Sequence, residues 1–458
     1  MSKVQVEDLK PSLVYIPTEV CENIIDMLDS ELIVDTLENI ATLHSCSLVC
    51  RDWRVRSQKM LFYKVQLADT TSFHRLSTIL DDRQHLRDYV HKVELTGYHL
   101  HNTTSIFATF PVVFARKLPN LFRIEVAHIP DTPETRFPRT LVSPKAKALP
   151  YIPLHPRFPA FLSAFKAVSA LYLAETTFRT FSEFARMLNG LPNLEELACH
   201  SVRWIAPGGS HPGADFATQP EWVAGKDTLP PFAPKLRKLS LWNVAMYGAK
   251  RLIWTRGPHL TLLELTIPPS SDLEALVDDG KALAIDFGSC TGLKALELFF
   301  TSQFSMDTHG GCIAELLASW KPLRLDPVLK LSPASENGTT RRGFAEVLRG
   351  IGTIIEAWLQ TLEDPTAAGE IQDHQQVKYE LKVEIYEWES MGRWWMDHLE
   401  SCFPTWVKLG RIDLILLTPQ GTYDEWVNEV EPPQSGTVAV SQVEEFASSS
   451  LLKMTKPT

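Results

Sequence analysis

At 458 residues the chain exceeds one ordinary hydrophobic core, and fits either two or three globular units or one small unit joined to an elongated array. Hydrophobic residues at 44% and charged residues at 22% exclude a disordered composition, so most of the length is expected to fold. The formal net charge of -10 argues against a general nucleic-acid binder, which needs clustered Lys and Arg to displace counterions from phosphate.

Seven thinly spread cysteines, an odd number, do not form the dense framework of a secreted disulfide scaffold. The opening MSKVQVEDLKPSL carries no apolar signal segment, and no run approaches the ~18 to 20 apolar residues of a membrane span. Cytoplasm or nucleus is the expected location, with no membrane partner. On that reading the sequons at Asn102 and Asn337 are chance matches.

The first predicted element is an amphipathic helix. Pro17 supplies a fixed φ and Thr18 a cap, and Val20, Ile24, Ile25 and Leu28 then recur at helical spacing. Asp29 to Thr42 reads as a linker rich in Asp and Glu. The next periodic segment, LHSCSLVCRDWRVRSQKMLFYKVQL, puts Leu43, Cys46, Leu48, Val49, Cys50 and Trp53 on one apolar side and Arg51, Arg54, Arg56 and Lys59 mainly on the other. Two or three short helices cannot bury that much apolar surface among themselves. The surplus must meet either the following domain or a partner protein.

These residues resemble the F-box pattern, in which a Leu-Pro start, a helix with Glu and spaced Ile or Leu, and a linker precede a CSLVCRxW-like segment. Here the chain reads Ile16-Pro17, Glu19, Ile24, Ile25, Leu28 and Cys46-Ser47-Leu48-Val49-Cys50-Arg51-Asp52-Trp53. The resemblance implies a small all-α unit over residues 1–67 that docks on the Skp-family adaptor of a cullin and RING ubiquitin ligase. The adaptor-binding residues it implies are Ile16, Pro17, Ile24, Leu28, Leu48, Val49, Cys50 and Trp53. The face from Arg51 to Lys59 would meet an adaptor that is acidic in the family.

Further along, an apolar-x-x-apolar-x-apolar phrase recurs at Val90-Val93-Leu95, Leu121-Ile124-Val126, Val168-Leu171-Leu173, Leu194-Leu197-Cys199, Leu236-Leu239-Leu241, Leu260-Leu263-Leu265, Leu293-Leu296-Leu298 and Leu409-Ile412-Leu414. Several copies share a Pro-x-Leu lead-in. This is the leucine-rich-repeat strand signature, whose last two apolar residues point inward from a short parallel strand. One such strand cannot bury its own face, so the copies must stack. Their spacing is more irregular than the roughly 20 to 29 residues of regular arrays, and the usual Asn after the phrase is missing.

Helical stretches fill the gaps. Phe181, Phe184, Ala185 and Leu188 keep helical period until Asn189-Gly190, Ser271 to Glu274 reads as a capping box, and Phe344, Val347, Leu348, Ile351, Ile355 and Trp358 outline a longer helix interrupted by Gly350 and Gly352. The fold class expected is thus α/β: the small helical domain, then an irregular leucine-rich-repeat-like solenoid over 68–430 with surface loops at Pro130 to Pro159, Ala206 to Pro234 and Leu331 to Gly343. A mobile tail is expected over 431–458. The aromatic cluster Tyr386, Trp388, Trp394, Trp395 and Trp406 reads as a terminal core or cap.

In each phrase, residues between and just after the last two apolar positions point to the concave side. They are Glu125, Tyr172, His200, Ser240, Trp242, Glu264, Glu297, Phe299 and Asp413. Of these, Glu125, Tyr172, Trp242, Glu264, Glu297 and Phe299 are the candidate substrate-binding set. Carboxylates without matching cations, set beside aromatic rings, would suit a basic protein partner. No P-loop, GxGxxG, HExxH or GxSxG phrase sits in a usable setting, and nothing completes His44, Cys46 and Cys50 to four zinc ligands. No catalytic residue, metal or cofactor is assigned. The expected function is a non-catalytic substrate receptor of a ubiquitin ligase, the alternative being an interaction scaffold outside any ligase.

Overall fold

The computed structural model describes residues 17–28, 36–96, 105–127, 151–204, 232–244, 246–267, 287, 290–301, 304, 306–320, 327–333, 341–363, 379–387, 389–417 and 452–454. Ile16, Trp388, the Ser271 to Glu274 box and the Asn102 and Asn337 sequons lie outside them.

Three helices open the chain: α1 (Thr18–Met27), α2 (Thr36–Cys46) and α3 (Arg51–Tyr63). The stretch expected as a linker therefore contains most of α2. The second periodic segment is divided at Ser47 to Val49, where the hydroxyls of Ser45 and Ser47 donate to the carbonyls of Ala41 (3.0 Å) and His44 (2.6 Å). Serine hydroxyls compete for backbone carbonyls in this way and favour helix ends. Cys50 is extended, at φ -153, and α3 starts after it.

With no intervening residue, α3 runs into β1 (Lys64–Leu67), which lies at the end of the span read as the helical domain. The sheet then adds strands in chain order: β2 (Lys92–Thr96), β3 (Arg123–Ala127), β4 (Ala170–Ala174), β6 (Glu196–His200), β8 (Lys238–Trp242), β9 (Leu262–Ile267), β10 (Ala295–Phe300), β11 (Val328–Pro333), β12 (Glu380–Tyr386) and β13 (Ile412–Leu417). Every pair among these eleven is parallel. A short strand, β14 (Leu452–Met454), pairs antiparallel with β13; it is the described part of the span expected to be a mobile tail. The first and last strands are edges, so the sheet does not close into a barrel. Outside it, β5 (Thr177–Phe178) pairs with β7 (Arg203–Trp204).

The phrase residues expected to point inward do so: Leu171, Leu173, Leu197, Cys199, Leu239, Leu241, Leu263, Leu296 and Leu298 are buried. Alternation along β3, β4, β10 and β12 leaves the other row half-exposed, while Ala198, Ser240, Glu264 and Asp413 on that row are buried; one sheet face forms the core and the other stays partly open. The core face meets α4 (Thr70–Asp82), which buries Phe73, Leu76 and Leu80, and helices rich in phenylalanine, among them α5 (Ile106–Phe114), α6 (Phe158–Leu162) and α7 (Phe181–Asn189). Ile152, Phe158, Phe232 and Ala233 are buried too, so the ends of two stretches expected as surface loops are built into the core.

A repeated backbone pattern stitches the strands. The carbonyls of His91, Phe122, Ser169, Glu195, Arg237 and Thr261 each accept two amide N–H groups from the start of the next strand, as in Glu195 (2.8 Å) and Glu196 (2.9 Å) onto Ser169. Asparagine does contribute, but before the strand: Asn120 donates to the Asp88 carbonyl (2.8 Å) and Asn193 to the Lys166 carbonyl (2.7 Å). After β4, β6 and β8 the chain takes a left-handed residue at the same place, at Glu175, Ser201 and Asn243. The Glu175 and Ser201 amides donate to the last carbonyl of the next strand at 2.8 Å, which holds this disfavoured conformation.

The glycines inside the long helix α10 (Arg341–Glu363), which follows α8 (Met246–Arg256) and α9 (Met306–Ser319), do not break it. A Cβ at Gly352 would stand 2.5 Å from the Cys402 carbonyl on α11 (Gly392–Cys402), so glycine here permits close helix packing. Gly352→Ala is expected to destabilise the chain by about 1 to 3 kcal/mol through overpacking, despite the better helix propensity of Ala. Urea unfolding of the variant measures this; unchanged stability would show that the two helices separate at no cost.

Candidate partner-docking surfaces

Helix α1 is apolar on two sides. Cys21 and Ile25 face inward and are buried, while Val20, Ile24 and Met27 face outward, the last two 50% and 71% exposed. A surface helix ordinarily carries one apolar stripe, so the second is surplus. The Asp26 carboxylate fixes the helix to α3 by a two-pronged pair with Arg56, whose Nε donates to Oδ1 at 2.6 Å. Leu43 packs inward from α2, and Ile40 stays exposed. The turn into α3 presents Leu48 and Val49 at 80% and 62% exposure. It is held by Leu48 N–H to the Ser45 carbonyl and Val49 N–H to the Cys46 carbonyl.

Of the expected adaptor contacts, Pro17, Ile24, Leu48, Val49 and Cys50 are exposed, Leu28 and Trp53 are half-buried, and Ile16 is outside the described residues. Large exposed apolar side chains concentrate here: Val20, Ile24, Met27, Ile40, Leu48, Val49 and Val55. In the rest of the described chain they are Val112, Trp394 and Leu409. On the expected basic face Arg56 pairs with Asp26, the Lys59 ammonium lies 5.8 Å from the Tyr89 ring centre and Arg54 Nε donates to the Ser47 carbonyl at 3.4 Å, while Arg51, Arg54 and Lys59 are exposed. Spacing along a helix shows which residues share a side, but not what packs there.

Thiol accessibility offers a probe. Cys50 is exposed, whereas Cys21, Cys199, Cys290 and Cys402 are buried, and burial pushes the Cys199 thiol far up from its ordinary pKa. A maleimide is therefore expected to label Cys50 first among these, with mass spectrometry of tryptic peptides as the readout. Preferential labelling of Cys199 would contradict the packing.

The open face of the sheet is the second surface. Its carboxylates are not unmatched. Arg123 (2.6 Å) and Lys64 (3.8 Å) reach Glu125; Lys238 reaches Glu264 (3.3 Å) and Glu196 (3.2 Å); Lys330 reaches Glu297 (3.2 Å) and Glu384 (2.8 Å). Asp413 stands in register with Lys382 and is buried, as are Ser240 and Glu264. The missed cations carry a readable signal, since a residue two before a face position shares its face: Arg123 precedes Glu125 and Lys238 precedes Ser240 in this way. Partner choice across strands depends on register between distant segments, which no local pattern supplies.

No protein-family model matches the chain, and no curated protein matches it.

The aromatic residues do come together. Trp242 is a hub, its ring 6.4 Å from Tyr172, 6.3 Å from His200 and 6.3 Å from Phe299, all half-buried on the open face. Burial, and then the Glu125 charge, push the Tyr172 phenol above its ordinary pKa. Burial pushes the Glu297 carboxyl up while Lys330 opposes it. For Lys330 burial acts downward, but the hydrogen bond to Glu384 and the two carboxylate charges outweigh it and leave the ammonium raised. The expected aromatic cap divides: Trp395 and Trp406 are core, whereas Trp394 is exposed and stacks on His398. No group of three or more His, Cys, Asp or Glu among the described residues is placed to hold a metal ion. No described helix is long and apolar enough to cross a membrane.

Proposed function

We propose that this chain is the substrate-recruiting F-box subunit of an SCF-type cullin-RING ubiquitin ligase, acting in cytoplasm or nucleus. Its N-terminal helices dock on a Skp-family adaptor, and its leucine-rich-repeat-like sheet holds a protein substrate. The observation that carries this reading is the concentration of exposed apolar side chains on α1, α2 and the turn before α3, where the F-box resemblance expects adaptor contacts. Such a patch rimmed by polar residues marks a protein-binding surface. Parallel strands in unbroken chain order, each reached through a similar turn, favour the repeat reading of the sheet.

In this reading the chain performs no chemistry: ubiquitin transfer belongs to other subunits, and this chain sets what is brought to them. Purified full-length chain is expected to co-elute with the Skp-family adaptor on size exclusion, and Pro17→Ala and Trp53→Ala to weaken the complex. Failure of the wild-type chain to bind under conditions where an established F-box protein binds removes the ligase reading and leaves an interaction scaffold. In cells, a recruited substrate accumulates when this chain is deleted; a partner of a plain scaffold does not.

A further inference from the structure

We propose that the open sheet face between β8 and β10 takes the guanidinium of an arginine on an extended partner segment, seated between the Glu264 and Glu297 carboxylates and against the Trp242 and Phe299 rings. This specifies the partner chemistry of the receptor reading and rests on it only in taking the sheet face as the recruiting surface.

Glu264 and Glu297 stand directly in register on adjacent parallel strands. Neighbouring strands lie about 4.8 Å apart, and like charges directly opposite each other destabilise a sheet. The cations that offset them are on the outer sides: Lys238 on β8 and Lys330 on β11. Each of these lysines is also shared with a second carboxylate, Glu196 and Glu384 respectively. Among the described residues no cation bridges Glu264 to Glu297, and the cluster holds four carboxylates to two ammonium groups. Negative charge is therefore in surplus at one defined place on the face.

The next row of the same face supplies aromatic surface at that place. Thr266 follows Glu264 on β9 and is in register with Phe299 on β10. Trp242 ends β8 on the other side of β9. Although a whole strand separates them, the Trp242 and Phe299 rings meet at 6.3 Å with an interplanar angle of 82°. They lean together over β9, beside the carboxylate pair.

A guanidinium fits both halves of this arrangement. It is planar, forks toward carboxylate oxygens, and stacks on aromatic faces at low cost in desolvation. An ammonium is a compact, strongly hydrated point charge and uses the rings less well. Tyr172 and His200, on the far side of Trp242, extend the aromatic surface toward the residue flanking the arginine.

The test uses the full-length chain and a positional-scanning array of N-acetylated, C-amidated octapeptides. Retained peptides are expected to share an arginine. Replacing that arginine with citrulline, neutral and nearly isosteric, is expected to cost about tenfold or more in affinity, and lysine less. Glu264→Gln combined with Glu297→Gln is expected to cost a similar factor and to remove the difference between arginine and citrulline peptides. Trp242→Leu, which leaves the carboxylates in place, is expected to weaken arginine peptides and keep part of that difference. Retained peptides without arginine, an unchanged affinity on citrulline exchange, or no retention by the wild-type chain would each overturn the proposal. A chain carrying Leu48→Asp and Val49→Asp is expected to retain the same peptides, so loss of adaptor docking and loss of this site are read separately.

Discussion

Leu48→Asp with Val49→Asp is expected to abolish co-elution with the Skp-family adaptor while leaving the thermal midpoint nearly unmoved. The two side chains are 80% and 62% exposed, so the fold loses little packing when they change. Surface substitutions of this kind typically alter stability by no more than about 0.5 kcal/mol. At an interface, by contrast, two carboxylates would be carried into an apolar contact. An interface anchor is worth about 2 kcal/mol or more, which corresponds to roughly 30-fold in affinity for each residue. Titration calorimetry with purified adaptor gives the affinity, and a melting curve controls for folding. Unchanged adaptor affinity with both aspartates present would place docking elsewhere.

Trp406→Ala is expected to cost about 3 to 5 kcal/mol, a large part of the stability of an ordinary domain. Trp406, on α12 (Pro404–Lys408), is fully buried. It extends a stack in which Trp320 and Trp358 lie 5.2 Å apart at 10°, and Trp358 and Trp406 6.5 Å apart at 19°. Truncation removes one end of the stack and leaves a cavity. Each strand of the sheet pairs only with its neighbours, so the damage should be local. Hydrogen exchange is expected to show early loss of protection over 379–417, with β2 to β6 still protected. Uniform loss along the chain would mean that the sheet unfolds as one cooperative unit.

The parts of this fold legible in the sequence are those set by short-range periodicity. Leu171 with Leu173, and Leu263 with Leu265, announce an inward face because alternation is a property of one strand. Helix α7 is legible for the same reason, from Phe181 to Leu188, with Thr180 accepting the Glu183 amide at its start. Strand β11 escapes because Asp326 occupies the first apolar position of its phrase, and β12 because Lys378 does. Strand β1 does fit the phrase, as Phe62, Val65 and Leu67, but follows a helix so closely that its residues read as helical. On the candidate surfaces, the aromatic residues and exposed apolar residues are legible one by one. The ion pairs are not, since Lys238 and Glu264, or Arg56 and Asp26, meet only through tertiary packing.

The junction at Tyr63 and Lys64, where α3 gives way to β1 without an intervening residue, fixes the phase between the two surfaces. A helix turns by about 100° and advances 1.5 Å with each residue. One residue added within α3 would therefore swing the apolar patch roughly a quarter-turn about the helix axis relative to the sheet, unless the helix unwound to absorb it. Both surfaces would keep their shapes and separate affinities, yet a molecule held on the sheet would be aimed in a different direction from the adaptor. In the proposed receptor, the length of α3 would thus act as an angular setting between the two surfaces.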